Sequence, residues 1–128
     1  MRGGPRSRRR LHSGRWGVNA RVERFSEPAV LLLLREHPAH GYELLEQLGE
    51  LTGETRVDMG NLYRVLRALE HEGIVTSDYA DGKRTYELTE SGSALLDQWA
   101  SSLRGAQTVI SSFLRRYDEG KEVTDART

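Results

Sequence analysis

Within the stretch Asp58 to Gly73, DMGNLYRVLRALEHEG, four residues have types and spacing that could act together: Gly60, Asn61, Arg64 and Arg67. At about 100° per residue, Gly60, Arg64, Arg67 and His71 point away from Leu62, Leu66 and Leu69, and Val65 flanks the leucines. A glycine without a side chain, an amide and two guanidinium forks can approach a polyanion closely and donate paired hydrogen bonds to base edges or phosphates. The plain alternative is an amphipathic helix whose arginines are left in water. A second cationic pair, Lys83 and Arg84, follows Asp81-Gly82. Tyr63 falls at the edge of the helix face, where its ring can pack and its hydroxyl can reach a phosphate. His40 and Tyr42, at the start of the preceding helix, complete the candidates for contact with DNA.

Other chemistries find little support. Histidines stand at 12, 37, 40 and 71, and His37 and His40 have Glu36 and Glu43 nearby, but Pro38 breaks the helix that would align them as metal ligands. His40 is better placed to help cap the second helix. The chain has no cysteine, which excludes disulfides, thiol chemistry and thiolate metal sites. It shows no glycine-rich phosphate loop, nucleophile elbow or paired catalytic carboxylates. The expectation is a protein that is not an enzyme and has no metal or cofactor.

The elements that must position the candidates are legible in order. With 128 residues and 37% hydrophobic side chains, one small domain is expected. Of 19 basic and 19 acidic side chains, residues 1 to 24 hold eight arginines and Glu23, which leaves 11 basic and 18 acidic in the rest. Such a basic, glycine-containing start reads as a flexible arm whose Arg6, Arg8, Arg9, Arg10 and Arg15 meet phosphates. A transit peptide is the weaker alternative, because Gly3, Gly4, Pro5 and Gly14 interrupt amphipathicity. A short helical turn is expected at most around Val18 to Arg24, and Trp16, Val18 and Phe25 are candidates to pin the arm onto the core. No apolar run reaches the length of a membrane span, and the expected compartment is the cytoplasm.

Ser26 is the expected cap of a first helix, with Pro28 in its first turn and a buried run AVLLLL that ends before Pro38. A second short helix, HGYELLEQLGELTG, places Tyr42, Leu45 and Leu48 with Leu44 on one side and stops near Gly53. After the helix capped by Asp58 the pattern turns to alternation, IVTSDYA, Asp81-Gly82, KRTYELT, which is a β-hairpin with Lys83 and Arg84 at its tip. Thr89 then caps a long helix. Its apolar residues Leu96, Trp99, Leu103, Ala106, Ile110, Phe113 and Tyr117 recur at alternating spacings of three and four, a heptad seam suited to self-association. The alternative is a seam packed wholly within one chain. The last stretch, DEGKEVTDART, is charged and aperiodic and reads as a disordered tail.

Residues Phe25 to about Tyr117 resemble the PadR family of transcriptional regulators. LLLLREHPAHGYELLEQL is similar to the family's opening helices, NLYRVLRALEHEGIV to its recognition helix and first wing strand, and KRTYELTESGSALL to its second wing strand and the start of its dimer helix. The arginine-rich arm departs from the family, and Asn61 stands where the family often has threonine. The resemblance implies a two-fold homodimer joined through the C-terminal helix. It also implies repression relieved by a small aromatic or hydrophobic effector, with Trp99 and Leu103 as candidate effector residues. Tryptophan packing in the dimer core is the other reading of Trp99.

The fold expected is mainly α with a small β-hairpin. Residues 1–22 form a basic arm, 23–88 a winged helix-turn-helix domain, 89–117 a dimerisation helix and 118–128 a disordered tail. The expected function is a DNA-binding transcriptional regulator acting as a homodimer on pseudo-palindromic double-stranded DNA, without membrane contact. The alternative is a winged helix used only for protein contacts.

Overall fold

A computed structural model describes residues 25–53 and 58–127, with side chains described as far as residue 123. The arm, the turn expected around Val18 to Arg24, Trp16 and Val18 therefore lie outside the described residues.

Helix α1, Ser26–Glu36, is the central rod, with Ala29, Val30, Leu31, Leu33 and Leu34 buried. Ser26 is not its cap: Phe25 takes that position, and its carbonyl accepts the Ala29 amide at 3.1 Å. Packing of the Phe25 ring against the core sets the entry one residue earlier, because apolar burial outweighs a single exposed cap bond. Strand β1, Ala39–His40, follows, and then helix α2, Gly41–Thr52, ended by Gly53 in the left-handed region. Leu44 and Leu48 are buried, but Tyr42 is 73% exposed and points away from the core on which the helical period placed it.

Helix α3, Met59–His71, begins at Asp58, whose carboxylate accepts the Gly60 amide at 3.1 Å. Leu62, Leu66 and Leu69 are buried, and Gly73, at φ +77°, stops the helix. Strands β2, Val75–Ala80, and β3, Lys83–Leu88, pair antiparallel from Val75↔Leu88 to Ala80↔Lys83. Asp81 and Gly82 both adopt positive φ, the geometry that matches a two-residue turn to the strand twist. β1 joins on the other edge of β3, through Ala39↔Tyr86 and His40↔Thr85, so the sheet has the order β1-β3-β2.

Thr89 joins three elements. Its hydroxyl accepts the Gly92 amide at 3.0 Å and lies 2.7 and 2.9 Å from the Gly73 and Ile74 carbonyls, to which it donates. Helix α4, Glu90–Arg127, then runs for 38 residues, about 57 Å. Arg35 fastens it to α1 by donating to Asp97 Oδ1 and the Ser93 carbonyl, both at 2.8 Å, and Trp99 Nε1 donates to Glu27 at 3.1 Å.

Two expectations for α4 are corrected. The helix does not end at Tyr117, and residues 118–127 are helical rather than a disordered tail. Asp118 to Arg127 contains no proline and several good helix formers, so an existing helix propagates through Gly120 at a cost of about 1 kcal/mol. The seam is also not uniform. Leu96 is buried in the chain's own core, Trp99 packs half-buried against it and Leu103 is half-buried, whereas Ala106, Ile110, Phe113 and Tyr117 are exposed.

Candidate nucleic-acid interface

The polar surface of α3 has two edges. The edge opposite the core carries Gly60, Asn61 and Arg64, all exposed, and Arg64 Nη1 donates to Asn61 Oδ1 at 3.0 Å. The other edge carries Tyr63, Arg67 and Glu70 at intervals of four and three, and it forms one wall of a groove of about 860 Å³. The hairpin supplies the facing wall through Tyr79, Lys83 and Arg84, while Tyr86, His40, Gly41 and Tyr42 close the remaining sides. The expected residues thus divide. Tyr63, Arg67, Lys83, Arg84, His40 and Tyr42 share the groove, and Gly60, Asn61 and Arg64 stand beside it on the outer edge of α3. The arm arginines lie outside the described residues.

The start of α2 is held in place locally. The Glu43 carboxylate accepts the His40 backbone amide at 3.0 Å, and the His40 ring lies 3.6 Å from the same oxygen. Gly41 is a matter of space: a Cβ there would fall 2.7 Å from the Tyr63 hydroxyl and 3.1 Å from Cζ. Only glycine lets Tyr63 of α3 lie across the first turn of α2 without displacement.

The wing is held to α3 through side chains. Because successive residues of a strand face opposite sides, the register puts Ser77, Tyr79, Arg84 and Tyr86 on one face and Lys83 on the other. Ser77 donates to Glu70 Oε2 at 2.7 Å, Arg84 Nη1 donates to Ser77 Oγ at 3.0 Å, and the Arg84 guanidinium lies 5.5 Å from the centre of the Tyr79 ring. Tyr86, buried beneath, has its phenol pushed above the usual tyrosine range by burial first and by Tyr63 and Glu70 next, while Arg84 and Arg67 oppose the shift. It stays neutral. Among the described residues that line the groove, cations outnumber acids, since Glu70 is the one carboxylate. Gly41, Glu70, Ser77, Tyr79 and Tyr86 were not singled out from the sequence, although strand alternation would have put the last three on the Arg84 face.

Among the described residues, no three His, Cys, Asp or Glu side chains gather as metal ligands, and no helix is long and apolar enough to cross a membrane. Three helices, the third with an exposed cationic edge, followed by a hairpin with basic residues at its tip, define a winged helix-turn-helix, a class built to bind DNA. Residues 30–98 match the model of the transcriptional regulator PadR-like family. Among solved structures, a transcriptional regulator from Clostridium thermocellum is 27% identical with a TM-score of 0.63, covering 70% of this chain and 89% of that one. A protein described as a potential transcriptional factor, TM0937, is 30% identical with a TM-score of 0.67, covering 80% and 96%. Bacillus subtilis PadR in complex with operator DNA is 30% identical with a TM-score of 0.54, over 60% of this chain and 47% of that one. No curated protein matches the chain significantly. The chain belongs to the PadR-like family and is a DNA-binding transcriptional regulator.

Proposed function

We propose that the chain binds duplex DNA as a two-fold homodimer, each protomer laying α3 in the major groove of one half of a pseudo-palindromic site. Asn61 and Arg64 meet base edges, with Gly60 allowing close approach. Tyr63, Arg67, Lys83, His40 and Tyr42 meet the backbone on either side, Arg84 contacts the duplex from the wing, and the arm arginines add phosphate contacts. The observation that carries this reading is the continuity of the outer edge of α3 with the cationic groove and the wing, all on one side of the domain. Operator DNA in the complex of Bacillus subtilis PadR supports the same partner.

The exposed seam residues Ile110, Phe113 and Tyr117 support a dimer through α4, because a free helix would leave them in water. We further propose a cytoplasmic repressor without enzymatic activity, released when a small aromatic or hydrophobic effector reaches Trp99 and Leu103. The half-buried position of both residues, where the seam leaves the chain's own core, supports this site. Gel-shift titration of purified protein against genomic fragments tests the DNA reading. Discrete complexes that survive competitor DNA are expected, and smears that vanish with competitor would leave only a protein-contact module.

A further inference from the structure

Glu70 is out of place on a surface read as meeting a polyanion, because its charge opposes binding. Its carboxylate is engaged by the Ser77 hydroxyl at 2.7 Å. A serine hydroxyl has one proton, and with that proton given to Glu70 the oxygen is left as an acceptor. Arg84 uses it, donating Nη1 at 3.0 Å, and the same guanidinium sits over the Tyr79 ring. The direction of the chain is therefore set from Arg84 to Ser77 to Glu70. An in-plane acceptor and a ring face together restrict a long, exposed side chain before any ligand arrives, so less freedom is lost when it binds. The wing cation is also referenced to α3, the element that carries Asn61 and Arg64.

We propose that Glu70 and Ser77 are positioning residues for Arg84. They hold the wing guanidinium in one pose relative to α3 and so make it an oriented donor that discriminates between duplexes instead of a loose phosphate charge. The inference rests on the DNA-binding reading above.

The test uses full-length protein, the tightest duplex selected by the wild type from a random-sequence pool, and an unselected duplex of equal length. Ser77→Ala keeps the net charge. It should weaken binding to the selected duplex about two- to twelvefold, the range for losing one immobilised side chain, and leave the unselected duplex unchanged. Ser77→Thr should restore the wild-type ratio, and Ser77→Ala should add nothing in an Arg84→Ala background. Glu70→Gln keeps an acceptor for Ser77, so affinity for both duplexes should rise together, whereas Glu70→Ala should lower the selected-to-unselected ratio. If Ser77→Ala does not fold, Tyr79→Leu removes the ring beneath the guanidinium and should lower the same ratio. An unchanged ratio, or full additivity of Ser77→Ala with Arg84→Ala, overturns the positioning role while leaving DNA binding intact. A wild type that selects no duplex overturns both readings.

Discussion

Arg64→Ala separates base reading from charge at a position where stability should not interfere. Arg64 is exposed, and its one bond among the described residues is the 3.0 Å contact to Asn61 Oδ1, which occupies one of five guanidinium N–H donors. Alanine is at least as good a helix former, so the melting transition should move by less than about 0.5 kcal/mol. On a cognate site, losing a bidentate base contact removes roughly 1–3 kcal/mol per half-site, hence roughly 2–6 kcal/mol for a dimer reading two. On random DNA only phosphate attraction is lost. Fluorescence anisotropy with cognate and scrambled duplexes at one salt concentration measures both. Equal losses would reduce Arg64 to a phosphate contact, and no loss on either duplex would refute the placement of this edge of α3 against DNA.

Three further perturbations probe the other parts. Ile110→Glu with Phe113→Glu changes side chains that are 54% and 68% exposed in the single chain, so the fold should survive while sedimentation shows monomers and specific binding is lost; a double variant that sediments as a dimer would refute the seam. Gly41→Ala should displace the Tyr63 ring, the far end of a movable side chain, and weaken DNA binding severalfold while the melting temperature changes little, whereas unaltered binding would show that the approach of Tyr63 to α2 is incidental. Removing residues 1 to 15 deletes six arginines per chain and should lower the slope of log affinity against log salt by about 3 to 6, out of roughly 11 for full engagement in a dimer; superimposable slopes would leave the arm without a role.

Much of this arrangement was legible where a residue type has one dominant physical use. Asp58 and Thr89 cap helices, Asp81-Gly82 turns a hairpin, and Leu62, Leu66 and Leu69 mark the buried side of α3. The missed features depend on what lies across a gap. Strand β1 is two residues long, too short for any periodicity, and exists because β3 offers it an edge. Tyr42 fits a buried helical stripe by spacing, yet it stands where α2 emerges into the groove. The heptad seam is continuous in sequence, but only its first turns meet the core, a division set by where α1 ends its contact with α4. The charged run after Tyr117 reads as disordered by composition, whereas a helix already nucleated continues through it. The link from Glu70 through Ser77 to Arg84 joins two elements by side-chain geometry that neither element displays alone.

The central claim is that this chain reads duplex DNA as a two-fold dimer through α3 and the wing. Selection of genomic fragments by the purified full-length protein, followed by sequencing of the bound pool, tests it most directly. The account predicts an enriched pseudo-palindrome whose half-site centres lie about one helical turn apart, roughly 10 base pairs, or a multiple of it. A bound pool with no enriched sequence would contradict it.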